Sequence, residues 1–273
     1  WGIPVRYHDF KKFNEIVKPE LYEFHLSYSD MEIDPGEFLE GPYECGFVVH
    51  APELFKGSHL MDLATDDKEY RKNSIIETQK VIDITRSLKR FFPNEKRPMI
   101  VANIGGFSMD EPFDEEKKIR YYNQFFESLK LLDLEGVELI PQTMAPFPWH
   151  FGGQRYQNIF VLPDEIAHYC SENKIRMCLD VSHSMLTCNH LGLDFYDFVS
   201  KVAPFTSHLH LGDAIGVNGE GLQINEGEID FVRLSEILKK QCPKASFIPE
   251  IWQGHKNEGE GFWTALTRLE NIL

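Results

Sequence analysis

Short apolar runs alternate with longer amphipathic stretches along almost the whole chain. Residues 2–7 read as a short β-like run, followed by a helical pattern over residues 9–17. Residues 21–28 and 43–50 predict two further strands, with Asp34-Pro-Gly-Glu supplying turn chemistry between them. A long amphipathic helix is expected over residues 68–91, with Ile75, Ile76, Val81, Ile82, Ile84 and Leu88 on its apolar side. Residues 99–104 form a fourth strand closed by Gly105-Gly106, and residues 115–132 are again helical. Residues 137–142 give a fifth strand, in which Pro141 must sit where no ladder donor is needed. Pro163 opens a helix over residues 163–173. Two apolar runs around 176–183 and 207–213 supply strands six and seven, separated by a segment at 193–202. Residues 246–251 are strand eight, and residues 259–273 a closing helix. The segment 219–227 reads as a glycine-rich loop. Eight strand candidates alternating with helices point to an α/β (β/α)8 barrel, a TIM barrel, in one domain spanning residues 1–273.

In a barrel of this kind function lies at the C-terminal ends of the strands. Those ends carry His25 and Ser27, His50, Asn103, Gln142, Asp180 with His183, His208 with His210, and Glu250. Side chains alternate with period two along a strand, so His208 and His210 share a face. Oxygen and nitrogen donors at successive strand ends favour a divalent metal. Trp149, His150, Phe151 and Trp252 lie just past strands five and eight, where aromatic rings can stack on a sugar or pack the barrel mouth.

Hydrophobic residues make up 42% and charged residues 26%, a globular balance, and the net charge is −15. The acidic groups are spread along the chain, which disfavours a phosphate-backbone partner. Five cysteines without a CxxC pair fit a reduced, cytoplasmic protein. No apolar run approaches the roughly 20 residues that span a bilayer, so no membrane partner is expected. Neither is a signal peptide visible. The chain starts at Trp1 rather than Met, which suits a domain taken from a longer polypeptide.

The motifs His50-Ala-Pro, Leu179-Asp180-Val-Ser-His183, His208-Leu-His210-Leu-Gly-Asp213, the run from Gly219 through Gly227 to Asp230, and Glu250 carry a resemblance. The chain resembles the xylose isomerase-like barrel superfamily, which includes sugar-phosphate isomerases, ketose 3-epimerases and the endonuclease-four type of abasic-site nuclease. In the isomerase and epimerase branches the resemblance implies one divalent ion (Mn, Mg, Zn or Co) held by four strand ends. Those positions fall on Gln142, Asp180, His210 and Glu250. It implies a glutamate on strand five, where this chain has Gln142. A neutral amide oxygen can ligate a metal but cannot act as a base. Glu250 is then the main carboxylate base, and His183 a substrate contact or partner acid. His50, His183, His208, Trp149 and Trp252 are expected to line a sugar site, with His208 also able to buttress His210. His25, Asp213, Glu220 and Glu226 are minor candidates.

The expected function is a metal-dependent isomerase or epimerase of a sugar or sugar derivative, transferring a proton next to a polarised carbonyl. Two alternatives stand beside it. One is a non-catalytic sugar-binding barrel attached to a biosynthetic enzyme, which Gln142 favours. The other is a DNA-repair nuclease, disfavoured by Asn103 and the Gly219/Gly221 region at positions where that branch carries zinc ligands, and by the net charge.

Overall fold

Each apolar run becomes a strand shorter than the run itself. The computed structural model describes residues 1–150 and 153–272, in two compact units. The first comprises Trp1–Gly106 and Asp114–Pro141, the second Phe107–Phe113 and Gln142–Leu273.

The first unit holds five strands: β1 (Gly2–Val5), β2 (Leu21–His25), β3 (Gly46–His50), β4 (Met99–Ala102) and β5 (Glu138–Pro141). They form one parallel sheet in sequence order. Helices α1 (Tyr7–Ile16), α2 (Lys68–Leu88) and α3 (Glu115–Leu129) make three of the four return crossings that the parallel strands require, and two short 3-10 turns lie in the β2–β3 connection. Asp67 starts α2 by accepting from the Glu69 and Tyr70 amides, and Asp114 starts α3 by accepting from that of Lys117. Such caps contribute about 1 kcal/mol each. Phe10, Tyr22, Phe24, Phe47 and Phe92 are buried together, with Phe10 and Tyr22 edge to face at 4.8 Å. Pro141 is the last residue of β5, as its missing N–H demands.

The second unit holds β6 (Met177–Asp180), β7 (Thr206–Leu211) and β8 (Ser246–Pro249), parallel and in that order. Every residue of β6 and β7 is buried, the pattern of strands covered on both faces. Its helices are α4 (Pro163–Asn173), α5 (Val181–Leu191), α6 (Phe195–Val202), α7 (Phe231–Gln241) and α8 (Lys256–Glu270). The eight parallel strands are those expected of a (β/α)8 fold.

Three local readings change. Strand six stops at Asp180 and α5 begins at the next residue, so His183 lies in the first helical turn and not at a strand end. Asp180 makes this junction, because its Oδ1 accepts the His183 amide at 2.9 Å. Two helices, not one segment, connect β6 to β7. The segment expected as a loop after β7 contains a hairpin, Asp213–Ile215 paired antiparallel with Gly219–Leu222. Residues Asn257, Glu258 and Gly259 have positive φ, so α8 becomes regular just beyond Gly259, where the closing helix is expected. Among the described residues no helix is long and apolar enough to cross a membrane.

Candidate functional site

The register of the second sheet brings donors together. Asp180 at the end of β6 lies directly opposite His210 on β7, and His210 opposite Ile248 on β8. Partners in register point to the same face, so the Asp180 carboxylate and the His210 ring converge. Glu250 follows β8 and is set by its own amide, which donates to the Leu211 carbonyl at 2.9 Å. Gly212 permits this approach, since a Cβ there would stand 2.5 Å from the Glu250 carbonyl oxygen.

Asp180 is anchored from several sides. Its amide donates to Thr143 Oγ1 at 2.9 Å, and the same hydroxyl donates back to the Asp180 carbonyl at 3.1 Å. Ser184 Oγ also donates to that carbonyl, at 2.7 Å. Asp180 Oδ2 then faces three groups: Gln142 Nε2 at 3.1 Å, His183 Nδ1 at 3.3 Å and His210 Nδ1 at 3.9 Å. Burial pushes the Asp180 carboxyl well above the usual carboxylate range; the His183 and His210 rings oppose this, while Glu250 reinforces it.

His210 is fully buried, and its Nδ1 lies 2.6 Å from Glu250 Oε2. Two carboxylates therefore face one imidazole nitrogen, which has a single proton to offer. Donor atoms of Asp180, His210 and Glu250 all lie within 4.8 Å of one another. Two carboxylates and an imidazole are a donor set that suits Mn²⁺, Mg²⁺ or Zn²⁺, and a cation there would relieve the repulsion between Asp180 and Glu250. Gln142 is buried beside them, bridged to Cys178 through the backbone. Its amide nitrogen faces Asp180, so ligation by Gln142 needs the amide turned to present its oxygen.

His183 forms the open flank. Its Nδ1 is 3.0 Å from the Thr143 carbonyl, and its Nε2 is 3.5 Å from Glu220 Oε2. Burial alone would lower the His183 pKa, but Asp180, Glu220 and Glu250 together hold it up to about 10. The hydrogen bond from His183 in turn keeps the Glu220 carboxyl below its ordinary range.

The remaining sequence candidates fall in different places. His208 is fully buried on the face of His210, with rings 5.4 Å apart and its Nδ1 2.7 Å from Ser246 Oγ. Trp149 and Trp252 are exposed, and the Trp252 amide donates to the Gly221 carbonyl at 2.7 Å. Phe151 lies outside the described residues. Asp213 is buried and organises the chain after β7, accepting from the amides of Ala214, Gly227 and Ile229. In the first unit, His50 ends β3 with its Nδ1 3.0 Å from the Ala51 carbonyl and its ring stacked on His25 at 4.8 Å. Asn103 is buried there and accepts from the Gly105 amide. Glu226 pairs with Arg268 at 2.9 Å. Thr143 and Ser182, which fix the geometry through hydroxyls, carry no sequence signal that separates them from ordinary buried residues.

Comparison with known proteins agrees with this architecture. No curated protein sequence matches the chain significantly. Among solved structures, a D-tagatose 3-epimerase-like protein superposes with TM-score 0.67 at 17% identity, covering 99% of this chain and 96% of that one. The IOLI protein with a bound zinc atom gives 0.69 at 12% identity, with 99% and 96% covered. D-psicose 3-epimerase with D-tagatose from Clostridium cellulolyticum H10 gives 0.60 at 14%, with 98% and 91% covered. At such identities the likeness is one of fold. The family model for xylose isomerase-like TIM barrels matches residues 21–271, so the strands described above are those of a TIM barrel and the chain belongs to the xylose isomerase-like TIM-barrel family.

Proposed function

We propose that the chain is a divalent-metal-dependent isomerase or epimerase acting on a sugar or sugar derivative. The observation that carries this reading is the convergence of Asp180, His210 and Glu250 at the ends of adjacent strands. The epimerases of like fold add support to it.

Asp180, His210 and Glu250 would hold the ion, with the Gln142 amide oxygen as a fourth donor. The bound ion supplies Lewis acidity, polarising a substrate carbonyl and lowering the pKa of the adjacent C–H. Glu250 has a partly exposed side chain, 35% accessible, and acts as the base toward that C–H. His183 offers a ring N–H to a substrate oxygen from the first turn of α5. Exposed Trp252 and Trp149 present ring faces to a sugar. All five cysteines are free thiols, which supports a reduced, cytoplasmic setting.

Gln142 favours a second reading, a sugar-binding barrel without turnover, because its amide caps Asp180 and cannot accept a proton. Two measurements separate them. The enzyme reading expects Mn²⁺ or Zn²⁺ to raise the melting temperature and expects deuterium from solvent to enter a ketose or aldose substrate. A protein that binds neither ion loses the metal site; sugar binding without exchange favours the binder.

A further inference from the structure

The hairpin after β7 presents one carboxylate to the site. Glu220 lies on its second arm, Gly219–Leu222, with Oε2 3.5 Å from His183 Nε2 and 47% of its side chain exposed. The residue after it is clamped on both sides of the backbone. The Gly221 amide donates to Ser182 Oγ at 2.9 Å, and the Gly221 carbonyl accepts from the Trp252 amide at 2.7 Å. Ser182 belongs to α5, one residue from His183, and Trp252 lies two residues beyond Glu250. Gly221 has φ +65°, a conformation a side chain there would strain. Asp213 secures the base of the same hairpin through the Ala214, Gly227 and Ile229 amides. A carboxylate held this way is tied to the His183 and Glu250 segments by the two backbone hydrogen bonds of the next residue.

Inverting a carbon next to a carbonyl requires one group to remove a proton from one face and another to return it to the opposite face. Asp180 is spent: its side chain is buried, with Oδ1 on the His183 amide. Gln142 cannot accept a proton. Among the described residues, Glu250 and Glu220 are the two carboxylates that meet His210 and His183 while keeping exposed surface.

We propose that Glu220 is the second acid/base carboxylate of this site, acting with His183 on the substrate face opposite Glu250; this rests on the isomerase/epimerase reading above. Glu250 takes the proton as the C–H electron pair moves onto the carbonyl oxygen. The pair returns to form a new C–H bond with a proton that Glu220 takes from His183 and delivers, while His183 is reprotonated by water. Glu250 ends protonated and is reset by exchange with solvent, so no oxidant or further reactant is needed.

The test uses the full chain loaded with Mn²⁺ in deuterated water, with D-fructose, D-tagatose, D-psicose and L-ribulose as probes. Proton NMR follows epimer formation and deuterium entry separately, and electron paramagnetic resonance follows free Mn²⁺. Glu220→Gln is expected to cut epimer formation by about 100-fold. Deuterium exchange should continue with retained configuration, because Glu250 still removes and returns the proton on its own face. Mn²⁺ affinity and melting temperature should stay as in the wild type, and Glu220→Asp should recover part of the epimer. Epimer formation by Glu220→Gln close to the wild-type rate overturns the proposal. So does weakened Mn²⁺ binding, which would make Glu220 a ligand, or parallel loss of exchange and epimer. A wild-type protein that neither exchanges nor epimerises any probe overturns the isomerase reading and this proposal with it. Failure of the proposal alone is recognised by an active wild type.

Discussion

Two buried histidine–carboxylate groups, one in each unit, show what distinguishes a structural pair from a candidate site. In the first unit Glu23 is wholly buried in the middle of β2, and His25 Nε2 lies 2.9 Å from its Oε1. The two residues share a face because they are two apart, and His25 stands in register with His50 on β3. Glu23 and His25 both sit on β2, beside His50 on β3. In the second unit Asp180, His183, His210, Glu220 and Glu250 come from β6, α5, β7, the hairpin and the segment after β8. Glu250 and Glu220 retain exposed surface, whereas Glu23 has none. Buried charge is tolerated where a partner neutralises it. It becomes useful for chemistry where part of it also remains reachable.

The sharpest break in this comparison is Asp180→Asn. It should weaken Mn²⁺ binding by about 100-fold or more and abolish detectable sugar exchange. The metal-free protein should lose little stability, since Asn still caps α5 and the repulsion with Glu250 is gone. Calorimetry with and without Mn²⁺ checks both halves; unchanged Mn²⁺ affinity would remove Asp180 from the site.

Glu23→Ala should behave in the opposite way, costing about 1–3 kcal/mol of folding stability by removing the buried acceptor that His25 faces at 2.9 Å. Urea unfolding measures this, and a loss below about 1 kcal/mol would show that the first group is not a structural pair.

Asp213→Ala should cost about 2 kcal/mol, because three backbone amides lose a common acceptor. Hydrogen exchange should quicken at Ala214, Gly227 and Ile229 more than in β6, and uniform protection would contradict the role assigned to Asp213.

The last effect is a pH dependence in the first unit. Burial raises the Asp62 pKa to about 7, against the pull of the Ala64, Gly106 and Thr65 amides. A carboxyl with a raised folded pKa binds more protons in the folded chain than in the unfolded one. Its contribution is therefore complete below about pH 4 and is lost as pH rises through about 7. Asp62→Asn should flatten the stability profile across that window. Parallel profiles for variant and wild type would count against it.

What was readable in advance follows from the range of each interaction. Apolar runs of four to eight residues mark parallel strands because such strands are covered on both faces, and all eight were visible for that reason. The donors Asp180, His210 and Glu250 were visible because donors at strand ends stand out against apolar runs. The start of α5 at Val181 was not. Val, Ser and His are poor guides to a helix, and the signal is a cap by Asp180 that a strand end mimics. The hairpin after β7 escaped because its arms are three and four residues long, too short for periodicity, and because its clamps come from Ser182 and Trp252.

The amino-acid sequence by itself determined the order and type of the barrel elements and the donor residues at the ends of strands six to eight, since burial and period-two alternation act over neighbouring positions. Only the tertiary structure decided which donors converge, that the Gln142 amide turns to Asp180, and that Glu220 meets His183. Those outcomes depend on sheet register and on backbone hydrogen bonds between segments tens of residues apart, which no local pattern records.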